Sequence, residues 1–265
     1  MAVCQRIRRI RHIGRKIGLE DWFRPLPLIR WLRSKQGEEM TDEQKPEFQR
    51  ARSEEQRVAR RTAILRAARD LLEGVPVSGI SLRELSRKVD LSKTNVVRYF
   101  ETREAVFFTL LNQELEEWLV DLRDELANEF SSRTAKPIEL AHVLASAIGK
   151  RPIVCKLWSA LGGELETNIS PDAVRAFKLE HTERQDELGH IIAESLPELG
   201  LKNARELVSM IVILVAGLWP FANPSASVIE ALEHPALSES RVDFVQRLSR
   251  LIYISTMGIL ESSRG

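Results

Sequence analysis

Cysteine is scarce in this chain. Its 265 residues hold two, Cys4 and Cys155, which excludes a disulfide framework and points to a reducing compartment and a cytoplasmic location. Long apolar runs are missing too. The most apolar stretch, Leu207 to Leu218, is about a dozen residues, short of the ~20 that a membrane span needs, and it ends at Trp219-Pro220. A helix buried on all sides is the expectation there. The Arg-rich N-terminus lacks the continuous apolar core of a signal peptide. His142, His181, His190 and Cys155 show no metal-ligand spacing. No nucleophile–base pair with local context and no Gly-rich phosphate loop occurs, so an enzyme is not expected.

Net charge is nearly absent as well, at +1 from 39 Lys+Arg and 38 Asp+Glu. That balance is an average over unlike parts. Residues 1–49 carry 11 basic and 7 acidic side chains, residues 50–105 carry 13 and 8, and residues 106–265 carry 15 and 23. A basic front precedes an acidic body, which is the asymmetry that invites a polyanionic partner. At 43% hydrophobic and 29% charged, the chain is neither disordered nor fibrous as a whole.

What is present is helical periodicity, broken by Pro and Gly. Val58, Leu65, Ala68 and Leu72 form a stripe on a helix from about Glu54 to Glu73. Short helices follow at Ser81 to Lys88 and Ser92 to Arg98. A long one runs from Thr102 to about Phe130. Pro137, Pro152 and Pro171 each suit a first helical turn, where a missing N–H costs nothing. Later helices are expected at about Ser170 to Ser195, Asn203 to Trp219 and Ser240 to Leu260, with a break at Phe221 to Ser227. The fold class is all-α. Residues 50–105 form a three-helix basic unit, and residues 106–265 form a larger helical body.

The informative segment is Ile80 to Val106. Ser81 with Glu84 three residues on is a capping box. The turn is only Val89-Asp90-Leu91, and Asp90 sits where a left-handed residue is needed. Leu85, Val89, Leu91 and Val96 or Val97 can form a small shared core. This is a helix-turn-helix, whose second helix presents its first turns to base edges in the major groove. Lys93, Thr94 and Asn95 follow the Ser92 cap and form the expected exposed tip. Lys pairs with guanine, Asn pairs bidentately with adenine, and the Thr methyl meets a thymine methyl. Arg57, Arg60, Arg61 and Arg66 on the preceding helix, with Ser81 and Arg83, are phosphate candidates.

Ser92-Lys93-Thr94-Asn95-Val96-Val97-Arg98-Tyr99-Phe100, followed by Thr102-Arg103-Glu104-Ala105-Val106, resembles the tetracycline-repressor (TetR) family of bacterial transcription regulators. The resemblance runs over about Arg60 to Leu111. Arg151 to Lys178 also looks like one subgroup of the family's C-terminal domains. Two positions depart from the pattern: Asp90 stands where the family often has Gly, and Val97 where it usually has a phosphate-contacting Tyr. Arg98 and Tyr99 are candidates to replace that contact. By resemblance, Phe100 is core and Arg103 meets the DNA backbone.

The resemblance implies a sequence-specific DNA-binding regulator, most often a repressor released by a small-molecule effector. It implies a homodimer on a palindromic double-stranded operator, with no cofactor and no membrane. The alternative is a ligand-independent architectural or occlusion protein on the same fold. Effector-pocket candidates are Trp118, Leu144, Trp158, Phe177, His181, Met210, Leu214 and Trp219, each of which also suits plain core packing. The apolar helices near Asn203–Trp219 and at the C-terminus are the expected isologous interface.

Residues 1–49 are expected to be a disordered extension. Three readings of residues 1–39 stand side by side: a basic arm along DNA, a membrane-surface amphipathic segment, or an untranslated leader with Met40 as the true start.

Overall fold

Capping chemistry sets most of the helix starts. Ser92, Thr102, Ser170 and Asp243 each accept a backbone N–H three residues on, and Pro137, Pro152 and Pro171 occupy first helical turns. The computed structural model describes the backbone of residues 47–264 apart from 132 and 168, and the side chains from 54 onward apart from 238. The expectations for residues 1–46, including disorder, the basic arm and the Met40 start, lie outside these residues.

Every regular element among the described residues is helical. In chain order these are α1 (Glu47–Gly74), α2 (Leu82–Lys88), α3 (Lys93–Tyr99), α4 (Arg103–Glu129), α5 (Pro137–Gly149), α6 (Pro152–Ala160), α7 (Pro171–Ser195), α8 (Gly200–Ala222), α9 (Ala226–Ala231) and α10 (Phe244–Ser262). A single π turn, Leu161–Leu165, extends α6. One continuous apolar core runs from Ile64 to Leu260. Residue 105 therefore falls inside a shared core, along α4.

The long α4 carries the core. Phe107, Leu111, Leu115, Trp118, Leu122 and Leu126 keep helical spacing and are all buried. The body is made by α8 packing on α6, α7 and α10, and by α10 packing on α5. At the α5–α10 crossing, a Cβ on Gly149 would lie 2.8 Å from the Val245 Cγ2, so only Gly lets the helices approach this closely. Gly200 takes φ +69 between the 3-10 turn Pro197–Leu199 and α8, a conformation open to glycine at little cost.

Three expectations need correction. First, α8 is not buried on all sides. Ala204, Leu207, Val208, Ile211 and Val215 are buried, but Ile213 and Phe221 are each 71% exposed. Hydropathy reports apolarity and not which face is covered. Although Pro197–Ala222 is long and apolar enough to span a membrane, one face packs as a core helix does. Second, α8 continues through Pro220 to Ala222, where the Asn223 amide and side chain both donate to the Trp219 carbonyl. The expected break at Phe221 to Ser227 is correspondingly shorter, with α9 starting at Ala226. Third, α10 begins at Phe244, not Ser240, because Asp243 caps it by accepting the Gln246 N–H at 2.8 Å. Val242 consequently lies outside the helix.

Candidate nucleic-acid interface

The reading head is built locally. The Ser81 hydroxyl accepts the Glu84 N–H at 3.3 Å, and Glu84 accepts the Ser81 N–H at 2.7 Å, closing the capping box that starts α2. That pair of bonds holds the Glu84 carboxyl below its ordinary range. The turn into α3 closes with the Leu91 N–H donating to the Ser86 carbonyl at 2.9 Å. Within it, Asp90 takes φ 52, the left-handed conformation that the short turn demands. Ser92 then caps α3 by accepting the Asn95 N–H at 3.1 Å.

The face that α3 leaves outside follows from what it buries. Val96 is 0% exposed and Phe100 is 3% exposed, while Val97 is 41% exposed. Of the two valines, Val96 is therefore the core residue. Lys93, Thr94, Asn95 and Arg98 are all exposed, as are Ser81, Arg83 and Ser92, and Tyr99 is half-buried against the core. An open depression joins the starts of α2, α3 and α4, with Ser81, Arg83, Lys93 and Thr102 on its walls. Arg60 and Arg66 on α1 are exposed, and Arg57 pairs with Glu54 at 3.9 Å.

Two arginines expected at DNA also make contacts within the chain. Arg61 donates to the Tyr99 carbonyl at 2.6 Å and lies 4.2 Å over the Phe100 ring, so it ties α1 to the end of α3. Arg103 makes contacts within the chain while also lining the open depression. It bonds the Val77 and Ile80 carbonyls at 3.4 and 3.3 Å, Glu104 at 3.1 Å and Glu164 on the π turn at 3.1 Å. Sequence spacing could not find these partners, because Glu164 is 61 residues away.

Further links join head to body. Lys156 on α6 donates to the Leu72 carbonyl near the end of α1. Arg69 on α1 meets the buried Glu114 at 2.7 Å and Glu117 at 3.2 Å on α4. Burial pushes the Glu114 carboxyl up, and Arg69 opposes this.

In the body, α4, α6, α7 and α8 enclose a small apolar cavity of ≈ 10 Å³, room for about one water. Trp118, Trp158, Leu188 and Val212 stand on its walls, with Arg184 and Gln185 from α7. Two of the eight expected pocket residues, Trp118 and Trp158, thus line it. Phe177 and His181 lie just behind, in an aromatic column. The Phe108 and Phe177 rings stack at 4.0 Å, Phe177 and His181 at 5.1 Å, and Trp158 meets both His181 and Trp118 edge-on. The remaining four are not on the wall: Leu144 is buried core, Met210 and Leu214 are half-buried on α8, and Trp219 packs edge-on against Phe244 at 4.9 Å. Of the missed lining residues, Leu115 and Leu119 on α4 and Arg184, Gln185 and Leu188 on α7 recur at helical spacing beside Trp118 and His181, and Val208 and Val212 come from α8. That spacing was the available signal.

A polar chain leads out of this wall toward α3. The Trp158 Nε1 donates to the His181 Nε2 at 3.4 Å, and the His181 Nδ1 meets the Asn112 Oδ1 at 3.3 Å. The indole N–H can only donate, so Nε2 accepts and the proton resides on Nδ1. The Asn112 Nδ2 donates to Glu180 at 3.0 Å, and the Glu180 charge acts on Arg61, which holds the Tyr99 carbonyl. Burial, with Lys178 acting in the same sense, lowers the His181 pKa to about 4 and keeps the ring neutral. Cys155 is buried beside the Ile148 carbonyl, and burial pushes its thiol up, away from reactivity.

A family profile described as "Tetracyclin repressor-like, C-terminal domain" matches residues 112–263, more than half of the chain. The HTH-type transcriptional regulator RutR of Escherichia coli (strain K12) is 35% identical over 65 residues, which covers 24% of this chain and 31% of RutR. The match thus spans about a third of that curated relative's length. RutR of Shigella flexneri matches to the same extent. Among solved structures, the TetR family repressor AlkX from Dietzia sp. strain DQ12-45-1b is 15% identical with a TM-score of 0.44, over 76% of this chain and 95% of AlkX. A transcriptional regulator from Rhodococcus sp. Rha1 is 17% identical with a TM-score of 0.46, over 76% of this chain and 96% of its own.

Proposed function

The chain belongs to the tetracycline-repressor family of DNA-binding transcriptional regulators, and on that premise we propose that it is a cytoplasmic, homodimeric repressor that releases a palindromic operator when a small molecule enters its body. One observation carries the DNA reading. α3 buries Val96 and Phe100 and thereby leaves Lys93, Thr94 and Asn95 exposed at its capped first turn. These side chains read base edges, while Ser81, Arg83, Ser92, Arg98 and Tyr99 position the head on phosphates. Arg103, which bonds the Val77 and Ile80 carbonyls and Glu164, fixes the head to α4 and stands beside Arg83 and Lys93 where it can also meet the DNA backbone.

The dimer is supported by Ile213 and Phe221 on α8 and Ile254 and Met257 on α10, apolar side chains left exposed on the two helices expected to pair. Two heads then meet half-sites about one helical turn apart. Effector entry must enlarge the ≈ 10 Å³ cavity, and α4 is one of its walls. Movement of α4 shifts the heads through Arg103 and through the polar chain ending at Arg61.

A gel-shift titration of the dimer on a palindromic site upstream of its own gene tests this. Lys93→Ala and Asn95→Ala are each expected to weaken binding by about 1–3 kcal/mol. Unchanged affinity in both sinks the assignment. The near-closed cavity favours a second reading, a ligand-independent occlusion protein on the same fold. Operator affinity that no small molecule alters would select it.

A further inference from the structure

The cavity between α4, α6, α7 and α8 is furnished unevenly. Its walls are almost wholly apolar, with Trp118 and Trp158 among leucines and valines. Trp158 has its N–H satisfied by His181 at 3.4 Å. Trp118 does not. It is 2% exposed, and its Nε1, a pure donor, has no hydrogen-bond partner. A buried, unanswered donor is rare in a folded protein and carries an unmet demand for an acceptor.

The charged group on the wall, Arg184, is already answered. It lies 3.5 Å from Glu116 and 3.9 Å from Glu187, and Glu187 also holds Arg123 at 3.0 Å. Arg184 thus faces two carboxylates, one of which it shares with Arg123. An anion entering the cavity would have to compete with both carboxylates for Arg184, and a cation would be repelled by it. Gln185, half-buried, is the neutral polar side chain on the wall.

We propose that this cavity takes a neutral, predominantly apolar small molecule bearing a hydrogen-bond acceptor, a carbonyl or ether oxygen, that receives the Trp118 indole N–H. This rests on the effector reading above and gives that effector its chemical class. At ≈ 10 Å³ the cavity is far below the ~300 Å³ of an ordinary ligand site, so the molecule opens it on entry.

Three probes matched in shape separate the possibilities on the full chain: acetophenone, neutral with an acceptor; ethylbenzene, neutral without one; and benzoate, an anion. Calorimetric titration gives affinities, and ¹⁵N-labelled indole resonances report the N–H directly. Acetophenone is expected to bind about tenfold more tightly than either other probe. It should shift one indole N–H resonance downfield, the one absent from Trp118→Phe. In Trp118→Phe the acetophenone preference over ethylbenzene should vanish. If that variant fails to fold, the downfield shift in the unaltered protein still decides. Benzoate or ethylbenzene binding most tightly, or no shift of the Trp118 resonance with acetophenone bound, overturns the ligand class while leaving an effector site in place. No binding of any probe overturns the ligand site itself, and with it the effector reading.

Discussion

The reading head and the helical body put their working residues in opposite places. In the head the candidates are close in sequence and, apart from the half-buried Tyr99, exposed: Ser81 and Arg83, then Ser92, Lys93, Thr94, Asn95, Arg98 and Tyr99. In the body the candidates are buried or half-buried and drawn from four helices, so that Trp118, Trp158, Arg184 and Val212 meet only after folding. Under the proposed function the head reads a rigid external polymer and needs side chains displayed on a capped helix. Under the same proposal the body encloses a small molecule and needs side chains withdrawn from water. Substitutions of the exposed tip residues therefore act mainly on operator affinity, and substitutions in the buried body mainly on stability.

The largest effect that sharpens this contrast is expected in the body. Phe107→Ala, at a position 0% exposed on α4, should cost about 3–5 kcal/mol of stability. Urea denaturation measures it, and a cost below about 1 kcal/mol would break the claim that α4 carries the core.

Next comes pH. His181 titrates in the fold at about 4 against an ordinary 6.5. Its folded pKa is depressed by burial, so the unfolded chain binds more protons between those values, and stability falls as pH drops below 6.5 and stops falling below about 4. Between pH 7 and pH 5 the loss should be about 2 kcal/mol. His181→Asn should remove that share of the pH dependence, whereas substitutions at Lys93 should not.

Smaller effects belong to the head. Ser92→Ala removes the α3 cap and should cost about 1 kcal/mol of stability, with operator affinity falling as the tip frays. Smallest, and of opposite sign, is Asp90→Gly. It relieves a left-handed non-Gly residue at φ 52 but frees the unfolded chain, so thermal denaturation should move by less than about 1 kcal/mol.

The same contrast explains what was legible in the sequence. Caps, first-turn prolines and the left-handed turn residue are local chemistry, and Ser81 with Glu84, Ser92, Thr102, Pro171 and Asp90 could all be read directly. The commitments of Arg61 and Arg103 could not, because their partners are carbonyls and a carboxylate brought up by tertiary packing. An exposed-looking arginine beside a reading helix has the same sequence signature whether it meets phosphate or its own chain. Trp118 and Trp158 were found as mid-helix aromatics. Arg184 and Gln185 were missed because polar residues on α7 read as a solvated face. The exposed side of α8 was hidden by its uniform apolarity, which does not tell a face covered by the same chain from one left for another.

Footprinting of the purified protein on the DNA upstream of its own gene tests the central claim most directly, that α3 reads base edges. The expected result is two protected half-sites about one helical turn apart, with Asn95→Ala relaxing the base requirement at one position in each. Protection that ignores sequence, fades uniformly with salt and is indifferent to Lys93 and Asn95 would contradict it.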